Sequence, residues 1–500
     1  MLRTFIESLA VNAWNKRVPG RGKADTAPLS PPDGAVLLGQ TLPLFEGQQS
    51  APVFLTPWER PMHVALTGAT GSGKTTSLSH LLLSDFSAGR AAFVADFNGD
   101  LMDGSLALLA SAKTLEKLAG TLFLLDLREP SHLPAFNPLE PDAGEDAYTR
   151  ALSMLDAIRK SSDSWGVQLN ETILSSLIAL SETGFTLLEV APLLSNAGFR
   201  AHVFERATSD YAKEFLARFG ALSPEAQGQL RSPALNKLSF IAHPDVRLLL
   251  GQRNGFSFRR FDDVPGLAAL VAFDRPRLQG AADTLAALFG AALLQTVLGR
   301  ARFPKETRPF LHIALDEAQT FAGEDMDVLL AQGRRYNASL SLAYQNIAQM
   351  PPKTSAILRN NCGTRFFFAT GALDAGEIAR EIVLGSPEGE KVPDAKTLLV
   401  TLPIGQCLVA RRGQLAVAAR TLPPPSAKAS EERIAEARRI ARESFCRPRE
   451  EIEEELRERA RWIASLNGGS PGNSGPIVPG GPVAPTIETR PSGRSPFKPR

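Results

Sequence analysis

Nine consecutive residues near the start of the chain have the types and spacing that bind phosphate. Glycines let the backbone turn sharply and point its N–H groups at phosphate oxygens, a lysine adds a positive charge, and a threonine hydroxyl can bind Mg²⁺. An apolar run precedes them and a helical pattern follows, which is the context that this motif requires. We predict that they bind ATP and Mg²⁺. They are Gly68, Ala69, Thr70, Gly71, Ser72, Gly73, Lys74, Thr75 and Thr76.

A second chemical signal is an apolar run that ends in two acidic residues. Leu311–Leu315 predicts a buried strand, and Asp316 and Glu317 follow it directly. One carboxylate beside the phosphate loop can hold Mg²⁺, and the next can polarise the water that attacks the γ-phosphate. We therefore predict that Thr75 and Asp316 are the Mg²⁺ ligands and that Glu317 is catalytic together with Lys74.

Further polar residues follow in the sequence. Gln345 comes after the predicted strand Leu340–Tyr344, where its amide could contact the γ-phosphate. Arg334 and Arg335 precede that strand, and an arginine can neutralise transition-state charge on a neighbouring subunit. We predict catalytic roles for Gln345 and for an arginine of this pair. The alternative interpretations are an ordinary turn residue for Gln345 and a solvated helix charge for Arg335.

The elements that must position these residues alternate between strand and helix. Several strand candidates are continuous apolar runs without alternation, which is typical of parallel strands covered on both faces. The pattern predicts an α/β domain with a mainly parallel sheet. The strand candidates besides 311–315 and 340–344 are 63–67, 92–95, 122–125, 268–273 and 365–369.

The rest of the chain divides by composition. Helical periodicity without strand character predicts an all-helical domain inserted into the α/β domain, and a charged segment after three prolines predicts a helical tail broken at Pro448. The predicted units are a linker-like N-terminal segment (1–33), the first part of the ATPase domain (34–141), the insert (142–260), the second part (261–422), the helical tail (423–466) and a disordered basic tail (467–500).

The amino-acid composition argues against a disulfide-rich or zinc-binding protein and leaves nucleic acid and membrane binding undecided. With 55 basic and 53 acidic residues, the net charge of +2 gives no argument for nucleic acid or membrane binding. Three cysteines support neither a disulfide framework nor a zinc site. The longest mainly apolar uncharged stretch, 284–299, is too short to span a membrane and predicts a buried helix. We expect a cytoplasmic protein without an intrinsic transmembrane segment, which a partner could hold at the inner face of a membrane.

Taken in order, the motifs resemble those of the type IV secretion coupling proteins of bacterial conjugation, a family of DNA-pumping P-loop ATPases. The resemblance extends from about Gly34 to Leu456. The text that carries it is RPMHVALTGATGSGKTT, FVADFNGD, FNPL, SWGVQLNETIL, LNKLSFIAHPDVRLLLGQ, LDEAQTF, GRRYNASLSLAYQN, ILRNNCGTRFFFATG followed by Asp374 and Ala375, LPIGQCLVARRG and FCRPREEIEEEL.

This resemblance implies a RecA-like P-loop NTPase fold and a homo-hexamer with nucleotide sites between subunits. Arg334 stands at the position of the family's finger-like arginine. DNA is the implied substrate, with a relaxase or a membrane-channel protein as further partners. Family members usually begin with transmembrane helices, which this sequence does not show. Two alternatives therefore stay open: a soluble pump for DNA resection, packaging or segregation, and a nucleotide-switched adaptor for protein cargo.

Overall fold

The computed structural model describes residues 34–44, 50–142, 144–160, 164–385, 393–425 and 429–468. The predicted N-terminal segment 1–33 and nearly all of the predicted tail 467–500 lie outside the described residues.

An eleven-stranded sheet forms the centre of the described chain, in the order β2-β1-β12-β11-β10-β3-β9-β8-β4-β7-β5. The seven strands from β10 to β5 are parallel, and β11, β12, β1 and β2 extend the sheet in antiparallel pairs. The strands are β1 Val36–Thr41, β2 Pro52–Leu55, β3 Val64–Thr67, β4 Ala91–Asp96, β5 Leu122–Asp126, β6 His132–Pro134, β7 Ala268–Ala272, β8 Leu311–Leu315, β9 Ala338–Tyr344, β10 Thr364–Phe368, β11 Gln406–Arg411, β12 Val417–Thr421 and β13 Cys446–Pro448.

Helices cover both faces of the sheet, as the apolar strands require. The helices are α1 Lys74–Ser87, α2 Asp100–Ala112, α3 Ala147–Lys160, α4 Val167–Glu182, α5 Val190–Ser195, α6 Ala197–Arg206, α7 Asp210–Ala221, α8 Pro224–Lys237, α9 Pro244–Leu250, α10 Arg260–Asp263, α11 Arg275–Leu278, α12 Gly280–Gly299, α13 Glu324–Gln332, α14 Pro352–Asn361, α15 Ala372–Ala379, α16 Ala395–Thr401, α17 Glu431–Phe445 and α18 Arg449–Ser465. Side chains of α1, α2 and α17 form one core, and those of α12 and α13 belong to the core on the other face.

Within the described residues, the segment between β6 and β7 consists of helices joined by turns and loops and contains no strand. It shares one continuous hydrophobic core with the α12 face of the sheet. The rings of Phe136 and Phe289 lie 4.1 Å apart, and Phe258 packs against both. The helical segment is therefore anchored to the sheet by apolar burial. The domain limits at 142 and 260 stay a prediction.

The helical tail forms two helices, as predicted, with a short strand between them. That strand, β13, pairs with β6. On α17, Arg438 donates to Asp126 at 2.9 Å and to Asp103 at 2.6 Å. On α18, the side chain of Arg459 lies 3.2 Å from Glu189 in the helical segment. The tail thus ties the β5 edge of the sheet to the helices inserted before β7.

Within the described chain, one helical stretch, Gly280–Arg302, is long and apolar enough to cross a membrane. It contains α12, and 67% of its most apolar window is buried inside the protein. Phe289 from this helix contacts rings on the sheet, among them Phe93 and Phe273. The stretch is therefore longer than the sequence suggested, and it serves as a core helix, as expected for 284–299.

A buried polar cluster fastens α1 to the sheet below the phosphate loop. Asp85 on α1 accepts from Arg60 and lies 2.7 Å from Nδ1 of His312 on β8. Burial alone would raise the pKa of Asp85, but Arg60 and then His312 lower it to about 2. Nε2 of His312 lies 2.8 Å from the hydroxyl of Ser341 on β9. Since removing one partner leaves a buried charge unpaired, this cluster fixes α1 against β8 and β9.

Candidate nucleotide site

The sheet brings the predicted chemistry to one edge. Strands β3, β9 and β8 are neighbours and parallel, so their carboxyl ends lie side by side. The phosphate loop follows β3, Gln345 follows β9, and Asp316 with Glu317 follows β8. In open α/β sheets this edge is where ligands bind. Residues far apart in the sequence thereby form one site.

The loop between β3 and α1 has the backbone that phosphate binding needs. Gly68 has φ 155°, and a Cβ there would lie 2.6 Å from the Cβ of Phe368, so only glycine fits. Gly73 has φ 118° and directly precedes the first helical residue. The Nζ of Lys74 donates to the carbonyls of Gly68 at 2.7 Å and Ala69 at 3.0 Å. The lysine therefore already lies across the loop, and the first N–H groups of α1 point out of the helix end.

The tip of the loop is open to solvent. Ala69, Thr70 and Gly71 are exposed, whereas Ser72 is buried and Thr76 is half-buried on the first turn of α1. The hydroxyl oxygen of Ser72 is buried and forms no hydrogen bond within the described residues. The exposed tip is therefore open to an approaching anion, whereas the Ser72 hydroxyl lies inside the protein.

The predicted Mg²⁺ ligands lie next to each other. The hydroxyl of Thr75 donates to Oδ2 of Asp316 at 3.0 Å. Burial, and then the nearby charge of Asp96, raise the pKa of Asp316 to about 6 although the hydrogen bond from the Thr75 hydroxyl opposes this shift. The site thus concentrates negative charge in a buried place, which a divalent cation would relieve. Two oxygen donors at this distance fit Mg²⁺, which keeps several of its own waters.

Glu317 is held in a strained backbone conformation by its surroundings. Its φ of 51° lies in the left-handed region, which non-glycine residues adopt rarely and which is frequent at functional sites. The backbone N–H of Glu317 donates to Asp316 at 3.0 Å. One carboxylate oxygen of Glu317 accepts from the amide of Gln345, and the other accepts from the amide of Gln319 at 2.5 Å. The predicted base and the predicted γ-phosphate contact are therefore in direct contact.

Sequence reasoning missed two residues of this site. Asp96 ends β4, beside β8, and one of its oxygens accepts from the N–H of Leu101 at 2.7 Å. Its sequence signal was an acid at the end of an apolar strand, the same signal that identified Asp316. Gln319 carried no signal, because its role depends on the turn that Glu317 makes.

Arg334 is not part of this cluster. It lies in the 3₁₀ turn Gly333–Tyr336, which precedes the first residue of β9, whereas Gln345 follows the last. The seven residues of β9 separate the two by roughly 20 Å along the strand. The Arg334 side chain is exposed and forms no ion pair within the described chain. Arg334 therefore lies far from the nucleotide site of its own chain.

Comparisons with known proteins agree with this architecture. The family model described as helicase HerA-like C-terminal matches residues 42–133, a stretch that contains the phosphate loop and ends before Asp316. A comparison with curated protein sequences yields no match.

The solved structures give a longer match. The bacterial conjugative coupling protein TrwBΔN70 is 16% identical over 78% of this chain and 89% of its own, with a TM-score of 0.52. This chain shares the fold of that protein. TrwB in complex with ADP and Mg²⁺ covers 85% of this chain and 94% of its own at 14% identity and a TM-score of 0.52. VirB4 of Thermoanaerobacter pseudethanolicus covers 80% of this chain and all of its own at 15% identity and a TM-score of 0.51.

These matches confirm the predicted fold class, a RecA-like P-loop ATPase fold with a mainly parallel sheet, and the resemblance read from the motifs. The ligands in one of the matched TrwB structures, ADP and Mg²⁺, belong to the classes that the sequence predicts for this chain.

Proposed function

We propose that this chain is an ATP hydrolase that pumps DNA, or a DNA-protein complex, during conjugative or mobile-element transfer. The observation that supports it best is the hydrogen-bonded cluster at the carboxyl edge of the sheet. There Thr75 contacts Asp316, and Gln345 contacts Glu317. A phosphate loop alone is common to many nucleotide-binding proteins, but a carboxylate placed as a base beside it favours hydrolysis.

Each residue of the site has its own role in phosphoryl transfer. The loop and Lys74 would hold the β- and γ-phosphates, and Thr75 and Asp316 would hold Mg²⁺, which would supply positive charge beside them. Glu317 orients the attacking water and accepts its proton. The amide of Gln345 contacts the carboxylate of Glu317 and, when ATP is bound, the γ-phosphate. Release of one amide from Glu317 frees an oxygen lone pair for the water.

The motor acts as a homo-hexamer in this proposal. Arg334 is exposed and far from its own site, which suits a finger that completes the site of the next subunit. A ring also supplies DNA contacts by symmetry, since six copies of a few basic groups converge on one phosphate backbone. The expected partners are therefore DNA, a relaxase or a membrane-channel protein, on the cytoplasmic side of the membrane.

Turnover of ATP by the full chain, with and without DNA, tests this proposal. We expect DNA to raise the turnover rate severalfold at low salt and less at high salt, because phosphate contacts weaken as counterions accumulate. Single-stranded and duplex DNA are compared separately, and heparin serves as a control for any polyanion. Turnover that no form of DNA stimulates at low salt would contradict a DNA pump.

One observation favours a second candidate. The matched family description names a helicase, HerA, and the match includes the phosphate loop. A DNA pump that works in resection, packaging or segregation would use the same site and the same ring. The neighbouring genes distinguish the two, because a relaxase gene indicates transfer and a nuclease gene indicates resection.

A further inference from the structure

The positions of the site residues indicate which way a bound nucleotide extends from the phosphate loop. The groups for the γ-phosphate, which are Asp316, Glu317 and Gln345, all follow β8 or β9, on one side of β3. On the other side of β3 lie β10 and β11. If the γ-phosphate faces β9, as the proposed function requires, the nucleoside leaves the loop toward β10 and β11.

The segment that the nucleoside would meet there is 402–405, just before β11. Because β11 runs antiparallel to β10 with Phe368 opposite Cys407, this segment lies at the same edge as the phosphate loop. The N–H of Gly405 donates to the carbonyl of Ser72 at 3.0 Å. A Cβ on Gly73 would lie only 3.4 Å from the Cα of Gly405. The two backbones are therefore in direct contact.

The segment is also held firmly. Gly405 has φ 75°, a conformation that favours glycine, and its carbonyl accepts from the N–H of Thr421 at 2.8 Å and from its hydroxyl at 3.1 Å. A contact surface on this segment thus keeps a fixed position relative to the phosphate loop.

The residue before Gly405 has an apolar side chain that is exposed to solvent. Ile404 is 82% exposed although it directly precedes Gly405, and Pro403 is exposed as well. Two apolar residues that follow β10 in the chain, Leu373 on α15 and Val400 on α16, are also exposed. Apolar surface next to a phosphate site is suited to the flat face of a base.

The geometry points to Pro403 and Ile404 as the platform for the purine ring of the bound nucleotide. The ring lies against the Ile404 side chain while the phosphates lie on the loop. The segment Leu402-Pro403-Ile404-Gly405 has no polar side chain, so its side chains offer no hydrogen bond to the edge of the base. It therefore contributes affinity for adenine and guanine nucleotides alike.

Calorimetric titration of the full chain with ADP, GDP and inorganic tripolyphosphate tests this platform. In Ile404→Ala we expect ADP and GDP affinity to fall about fivefold to tenfold, since part of one apolar contact is lost. Affinity for tripolyphosphate, which has no base, stays unchanged. Ile404→Leu should restore ADP affinity to within about twofold, because the apolar area is similar.

Leu415→Ala is the matched control, since Leu415 is 58% exposed at the far turn between β11 and β12. Unchanged ADP affinity in Ile404→Ala would overturn the platform, and a change of oligomer size with unchanged ADP affinity would assign Ile404 to a contact with a second copy instead. An equal loss for tripolyphosphate would show a distorted loop and also overturns it. Nucleotide affinity and oligomer size are both measured without ATP hydrolysis, so these results are independent of the proposed ATPase activity.

Discussion

Replacement of Glu317 by glutamine is expected to lower the ATP turnover number about 10²- to 10⁴-fold, the usual contribution of a positioned general base. Glutamine keeps the size of the side chain but cannot take the proton of the attacking water. ATP should still bind, because the phosphate loop, Lys74 and Thr75 are unchanged. The experiment measures steady-state phosphate release together with equilibrium binding of ATP.

Glu306→Gln is the matched control, because Glu306 is an exposed glutamate in the turn before β8. It should retain normal turnover. If Glu317→Gln hydrolyses ATP at the normal rate, Glu317 is not the base, and the hydrogen bonds from Gln345 and Gln319 have only a structural role. If that variant instead still supports the biological output, the nucleotide-switched adaptor becomes the better account.

Replacement of Arg334 by alanine is expected to lower turnover on the order of 10³-fold while ATP binding is retained. The reason is geometric: Arg334 and Gln345 lie at opposite ends of β9, so the arginine reaches a γ-phosphate only across a subunit boundary. Arg335→Ala is the matched control. The guanidinium of Arg335 lies 5.7 Å from the ring of Tyr336 in the same turn, and its loss should have little effect.

Mixing the two inactive variants separates a role in trans from a local one. In a ring of Arg334→Ala and Glu317→Gln subunits, some sites combine an intact Glu317 with an intact Arg334 from the neighbour. With equal amounts and random assembly, about a quarter of the sites regain both groups. Recovery of ATP turnover on mixing supports a role for Arg334 in the site of the neighbouring subunit. Its absence, in rings of normal size, would leave Arg334 a structural residue.

The sequence predicted the parts of this site that depend on local pattern. The phosphate loop was evident from glycine spacing, and β8 with its two acids from an apolar run of five residues. Strand limits agreed within two residues, as for β9, which begins at Ala338 instead of Leu340. These features arise from backbone conformation and strand burial, which a short stretch of sequence encodes.

Other features depend on contacts between distant segments. The amide contact from Gln319 needs the left-handed turn at Glu317, and the charge that Asp96 places near Asp316 needs β4 beside β8. The pairing of β13 with β6 joins residues more than 300 positions apart, and three residues such as Cys446–Pro448 carry no strand pattern of their own. Tertiary packing decides such features, so local pattern cannot predict them.

ATP-driven movement along DNA is the most direct test of the central claim. The measurement follows release of a fluorescent third strand from a triplex at the end of a duplex, with full-length protein, ATP and Mg²⁺. The account predicts release that requires ATP, slows as the duplex before the triplex is lengthened, and is absent with Lys74→Ala and Glu317→Gln. Release by the normal protein without ATP, or active ATP hydrolysis in the presence of DNA with no release from any duplex or single-stranded entry site, would contradict it.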